Sequence, residues 1–276
     1  MVSAGASKAR AFRKWLAVFI VFASVALYAY FYQYDPFPEG VTDIVTGGMI
    51  VAAALAAAVV ASMAWSRYGK GTPPRLIWLH YSVAMWGWAV GEVIWLYEYL
   101  TDGNYQLGPA DIFWVASYFA FTVALYRQYA LIYRPARAAG LGFLGLSVLA
   151  VLMFTYLYAI WLSGTYNQKI LTLEILVNAF YAMGDAGLAA GALWLVFLFR
   201  DGALGRPWIG LALFAFSDLL YSWLETSGLY AWSVEEGNLL TTVTDTTYLA
   251  AYLVVAFGCF MQWLLLSYGP RLKYDA

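Results

Sequence analysis

Residues 47–65 read GGMIVAAALAAAVVASMAW, nineteen positions without one charged side chain, and the next charge is Arg67. As a helix rising about 1.5 Å per residue, this stretch spans about 28 Å, close to the thickness of a bilayer's hydrocarbon core. Its glycines and alanines also make a small-residue surface suited to close helix packing.

The rest of the chain repeats the pattern. It has 276 residues, 63% of them hydrophobic and only 11% charged. A soluble domain needs more charge to cover its surface, so the composition indicates an all-α polytopic membrane protein. Runs long enough to span lie near 12–32, 44–66, 76–100, 110–133, 141–163, 171–199, 207–229 and 239–268, which predicts eight transmembrane helices in a single membrane domain over 1–276. The first run follows a basic flank as a signal peptide would, but it continues into Tyr-rich sequence with no clear small-x-small cleavage site, so it is read as a span.

Loop charges give an orientation. Lys8, Arg10, Arg13, Lys14, Arg67, Lys70, Arg75, Arg134, Arg137, Arg200, Arg206, Arg271 and Lys273 fall on alternate connections, thirteen of the fifteen basic residues. The other connections carry Asp35, Glu39, Asp102, Glu235 and Glu236, with Lys169 as their only base. The positive-inside rule then places both termini in the cytoplasm, as expected of a multi-pass protein of the cell inner (cytoplasmic) membrane.

Several functions lack their residues. A net charge of −1 gives no electrostatic case for nucleic acid, so none is expected as a partner. The single cysteine, Cys259, excludes an internal disulfide and a CxxC metal site. The single histidine, His80, excludes multi-histidine zinc sites and bis-histidine haem ligation within the chain. No lysine sits within a span, which excludes retinal Schiff-base chemistry. No HExxH, Ser/His pair or metal triad appears, so the chain is not expected to be an enzyme, and no catalytic residue, metal or cofactor is implied.

An internal echo runs through the sequence. Residues 108–118, GPADIFWVASY, and 243–252, VTDTTYLAAY, share Asp followed by an aromatic at +3, Ala at +5 and Tyr at +7. Upstream of each, a mid-span acid (Glu92, Asp218) is followed at +3 by an aromatic (Trp95, Tyr221). A second acid (Glu98, Glu225) and a turn with Gly and Tyr (Gly103/Tyr105, Gly228/Tyr230) come next. The order predicts two tandem four-span repeats, 12–134 and 141–268, related by an axis along the membrane normal.

Acids inside spans are costly and face the bundle interior or water. Helical spacing puts Asp218, Tyr221, Ser222 and Glu225 on one face, with similar stripes at Asp111/Trp114/Tyr118, Asp245/Tyr248/Tyr252 and Trp88/Glu92/Trp95/Tyr99. Glu98 lies about 120° round from Glu92 and is expected to address a different neighbour. If these stripes converge, they make an acidic, aromatic-walled cavity opening outward. The alternative is interhelical glue, carboxyls bonded to phenols and indoles. For Asp111 and Asp245 a helix-dipole role in a first turn is a further alternative. Gly187 and Gly191 form a GxxxG read as packing or a homodimer face.

The pieces GEVIW, GPADIFWVASYFAF and FYAMGDAGLAAGALWL resemble the multi-span N-terminal sensor modules of some bacterial diguanylate cyclases and histidine kinases. The resemblance covers about residues 75–230 and implies a sensory role in which Asp111 and Asp185 occupy the matching positions. Those modules precede an output domain. None follows Ala276, so a signal is expected to leave through the helices or a signalling partner.

The expectation is therefore a membrane-embedded sensory or ligand-binding protein. The candidate ligand contacts are Glu92, Trp95, Glu98, Asp111, Trp114, Tyr118, Asp185, Asp218, Tyr221, Glu225, Asp245 and Tyr248. Its partners would be the lipid bilayer and a small amphiphile or cation. A proton- or cation-coupled transporter and a structural subunit of a membrane complex stand as the other readings.

Overall fold

The computed structural model describes residues 4–38, 40–101, 107–133, 137–165, 172–199, 205–231 and 238–268. They form eight helices: α1 (Ala4–Tyr34), α2 (Val41–Ser66), α3 (Pro73–Thr101), α4 (Pro109–Tyr133), α5 (Arg137–Thr165), α6 (Leu173–Leu198), α7 (Arg206–Thr226) and α8 (Leu239–Tyr268). The described residues contain no strand. Seven helices are long and apolar enough to cross a membrane, the architecture of a multi-pass membrane protein. The exception is α3, which has 29 residues but carries Arg75, His80, Glu92 and Glu98 among its aromatics. Of the expected loop features, Glu39, Asp102, Gly103, Tyr105, Arg134, Lys169, Arg200, Glu235, Glu236, Arg271 and Lys273 lie outside the described residues.

Six helices close a ring. In order around it, α2 packs on α3, α3 on α4, α4 on α6, α6 on α7, α7 on α8, and α8 back on α2. α1 flanks the ring against α8, and α5 flanks it against α6. On α2, Ala53, Ala54, Ala57, Ala58, Ala61 and Ala64 are all buried. Their three- and four-residue spacing gives one methyl-lined face, which lets α3 and α8 approach closely without long side chains to order. α7 and α8 approach closely at Gly210, where an added Cβ would sit 2.6 Å from the Val255 backbone nitrogen.

The surface is apolar in the membrane sense. Phe19, Phe22, Ile112, Leu146 and Phe197 are exposed on the outside of the bundle, while Glu92, Asp185, Ser217 and Gln262 are buried inside it. This inversion of the soluble pattern leaves the polar chemistry in the interior of the ring.

The two ends of that interior differ. Toward the C-terminal end of α3, the ring encloses a cavity of about 740 Å³. Toward the N-terminal end of α3, aromatics fill it. Trp88 meets Phe214 edge-on at 4.6 Å and Phe121 at 6.1 Å, and Tyr81 meets Phe121 and Trp208 at 5.3 and 5.4 Å. Tyr81 also donates to the Pro207 carbonyl at 3.0 Å. Met85, Trp88, Phe121, Leu211, Phe214 and Val255 leave no space for a water molecule between them.

Candidate functional site

The helices deliver their acids to the cavity by register. Asp185 lies twelve residues into α6, about 18 Å along its axis, and Glu92 lies nine residues before the end of α3, about 14 Å. Asp218 lies eight residues before the end of α7, about 12 Å. Tyr118, nine residues into α4, reaches a similar depth. These residues, with Trp88 and Ser217, line the deep end. Glu98, Asp111, Glu174 and Glu225 line the end nearer the helix termini.

All twelve residues singled out from sequence line this one cavity. Asp43 and Glu174 join them, bringing the lining acids to nine of the sixteen in the chain, and no Lys, Arg or His lines it among the described residues. Nine tyrosines line it as well, two of them, Tyr28 and Tyr32, from α1.

Most carboxyls are held by phenols. Tyr248 donates to Glu92 Oε1 at 2.5 Å and Tyr252 donates to the same oxygen at 2.7 Å, tying α8 to α3. Trp88 Nε1 donates to the Tyr248 hydroxyl at 3.3 Å and orients it. Tyr118 donates to Asp185 Oδ1 at 2.5 Å, and Tyr181 donates to Asp111 Oδ1, so two bonds tie α4 to α6. Tyr230 donates to both oxygens of Asp245 at 3.0 Å, and the Tyr32 hydroxyl lies near that carboxyl. Burial and the neighbouring Asp245 hold the Tyr230 phenol well above its ordinary pKa, so it stays protonated as a donor. Tyr221 bonds Glu225 in the same manner.

The Tyr118–Asp185 contact depends on Gly184. A Cβ there would sit 2.8 Å from Tyr118 Cε1, so any larger residue would displace the ring from the carboxyl. On the facing helix, Gly91 makes room for the Trp114 indole in the same way.

Two acids at the deep end keep carboxyl oxygens without a donor. Asp185 is fully buried and its Oδ2 has no hydrogen-bond partner. Asp218 makes no hydrogen bond among the described residues, although it lies within electrostatic reach of Asp185 and Glu92. The Trp114 indole N–H is also buried without an acceptor.

One reading needs correction. Asp245 is the seventh residue of α8, beyond the first turn, so the dipole argument does not reach it; Asn238 caps that helix, accepting from Thr241 N at 3.0 Å. Asp111 does fill the first-turn role, accepting from Gly108 N at 2.7 Å. Glu98 lies against Gly108, a different neighbour from that of Glu92, and lines the same cavity, because near the helix ends the wall includes the α3–α4 connection. The Gly187/Gly191 face is used within the chain, Gly191 against Leu125 of α4 and Gly187 toward Val151 of α5. His80 is a satisfied polar residue, its Nδ1 donating to the Leu76 carbonyl at 2.6 Å.

Sequence reasoning did not place Tyr32, Tyr181 or Tyr230 at the site. For Tyr181 a signal exists: it precedes Asp185 by four residues and so shares its helix face. For Tyr32 and Tyr230 none does, since the chain has 23 tyrosines and their partners are set by tertiary packing.

Compared with known proteins, the chain matches no family model, no curated protein and no solved structure.

Proposed function

We propose that the chain is a membrane-embedded ligand-binding protein of the sensory kind, whose cavity receives a small molecule from outside the cytoplasm. The observation that carries this is the cavity itself: nine carboxyls and an aromatic wall gathered in one space of about 740 Å³. That volume falls in the range of small-molecule sites. If the acids served only as glue, they would be scattered as separate helix-to-helix contacts. The packed aromatic layer beneath the cavity favours binding over passage through the membrane.

The topology in this reading has all eight helices as spans, α3 included, with both termini cytoplasmic and the cavity facing outward. Arg67, Lys70, Arg75 and Arg206 then lie at the cytoplasmic ends, away from the acidic cavity. Two four-helix repeats are part of the reading, supported by corresponding contacts: α3 on α4 and α7 on α8, α2 on α8 and α6 on α4. The flanking helices depart from the symmetry, since α1 packs on the other repeat's α8 while α5 packs on α6 of its own. A bound ligand would act by favouring one arrangement of the phenol–carboxyl ties between α3 and α8 and between α4 and α6. The signal would pass to a partner.

The test is cysteine accessibility. In a Cys259→Ala background, Ser222→Cys places a thiol on the cavity wall. A membrane-impermeant maleimide added to intact cells should label it. Labelling only after the membrane is opened from the cytoplasmic side would sink the outward orientation. No labelling of the folded chain, with full labelling after denaturation, would sink the accessible cavity.

A coupled transporter is the second reading, favoured by the unpartnered mid-helix Asp218. Proton flux in proteoliposomes that disappears in Asp218→Asn would establish it over the sensory reading.

A further inference from the structure

The deep end of the cavity has an excess of acceptors. Tyr118, Tyr181, Tyr248 and Tyr252 each direct their single O–H at a carboxyl, so none is left to give. Three carboxylate oxygens nonetheless remain without a donor: Asp185 Oδ2 and both oxygens of Asp218. No cationic side chain lines the cavity among the described residues. Asp185 Oδ2 is buried without a donor, which costs free energy, and Asp218 faces the cavity with none from the protein, so a donor entering the cavity meets unmet acceptors. The missing group has a definite character. It brings up to three N–H or O–H donors, it carries positive charge that favours the ionised form of two neighbouring acids, and it reaches them past aromatic rings.

We propose that the cavity binds an organic primary amine, its ammonium seated between Asp185 and Asp218 and its apolar body against Trp88 and Tyr118. This rests on the ligand-binding reading above and gives that ligand its chemical class. An ammonium has three donors, enough for both oxygens of Asp218 on the cavity wall and for the buried Asp185 Oδ2. Trp88 and Tyr118, whose ring centroids lie 5.0 Å apart, both line the cavity and give the carbon skeleton an aromatic surface. A bare metal ion fits less well, since no three metal-ligating side chains among the described residues gather closely enough to hold one.

The experiment is calorimetric titration of the full chain in nanodiscs with 2-phenylethylamine and with 2-phenylethanol, its uncharged counterpart of nearly the same shape. Saturable binding of the amine is expected, with the alcohol at least about tenfold weaker, the worth of a charge-assisted contact. Asp218→Asn should weaken the amine at least about tenfold and leave the alcohol unchanged. Asp218 has no hydrogen bond to lose, so this variant keeps the fold's own bonds intact even if Asp185→Asn fails to fold. Equal binding of amine and alcohol, insensitive to Asp218→Asn, would overturn the amine assignment and leave the cavity reading standing. Binding of neither probe also overturns the amine assignment, and the cysteine labelling then decides whether the cavity is accessible at all.

Discussion

The bond from Tyr118 to Asp185 offers the sharpest measurement of what holds the ring of helices together. A double-mutant cycle of Tyr118→Phe and Asp185→Ala isolates it, because the space left by Asp185→Ala appears in both arms and cancels. Hydrogen bonds between membrane helices couple on average by about 0.6 kcal/mol, with a ceiling near 1.7. Three features of this contact push it toward the ceiling. The O···O distance is 2.5 Å, the acceptor is a carboxyl, and the residue is fully buried with its other oxygen unpartnered. Tyr118 therefore carries all the hydrogen bonding the side chain receives, and a coupling of about 1.5 kcal/mol is expected. The assay is reversible unfolding in mixed micelles titrated with sodium dodecyl sulfate, read by near-ultraviolet circular dichroism for all four forms. A coupling under about 0.5 kcal/mol would refute the argument, since it would mean the carboxyl finds equal partners elsewhere. The tie at Glu92 serves as contrast: Oε1 accepts from two phenols, so Tyr252→Phe should cost less than Tyr118→Phe.

Two further outcomes follow from packing and capping. Gly210→Ala drives a methyl to 2.6 Å from the Val255 nitrogen and 2.7 Å from its Cα, backbone atoms that cannot rotate away, and should cost about 1–3 kcal/mol in the same unfolding assay. Gly48→Ala meets nothing within 4 Å and should be neutral or stabilising by up to about 1 kcal/mol; the opposite order of the two would show that α7 and α8 do not meet at Gly210. Asn238→Ala removes the cap of α8 and should cost about 1 kcal/mol, with faster hydrogen exchange confined to that helix's first turn. Unchanged exchange there would remove Asn238 from the capping role.

The helices were legible because the bilayer leaves few choices. α8 occupies the expected 239–268, α2 begins three residues before the expected 44, and α6 covers 173–198 against the expected 171–199. An apolar run must be long enough to cross and must stop where charge resumes, so length and flanks mark it. The acids were legible for a related reason: Glu92, Asp185 and Asp218 cannot face lipid, and helical spacing puts Trp95 on the face of Glu92 and Tyr221 on that of Asp218. Which phenol meets which carboxyl was not legible. Spacing names a face but not the helix across from it, so the bonds of Tyr181 to Asp111 and Tyr252 to Glu92 had to come from packing. Asp43 was missed because a first-turn acid reads as a helix start, although it also lines the cavity. The order of helices around the ring was hidden as well, since loop lengths between spans do not say that α8 returns to α2.

The packed layer formed by Trp88, Phe121 and Phe214 has a kinetic corollary. A chamber shut at one end offers the same path for arrival and departure. Whatever raises the barrier along that path raises it equally in both directions. A bulky residue placed near the helix ends, such as Thr226→Trp, should therefore slow association and dissociation by the same factor and leave the equilibrium constant where it was. A change at the deep end, by contrast, alters the well and appears chiefly in the dissociation rate. The two kinds of variant would sort the wall of the cavity into approach and resting place without a bound structure.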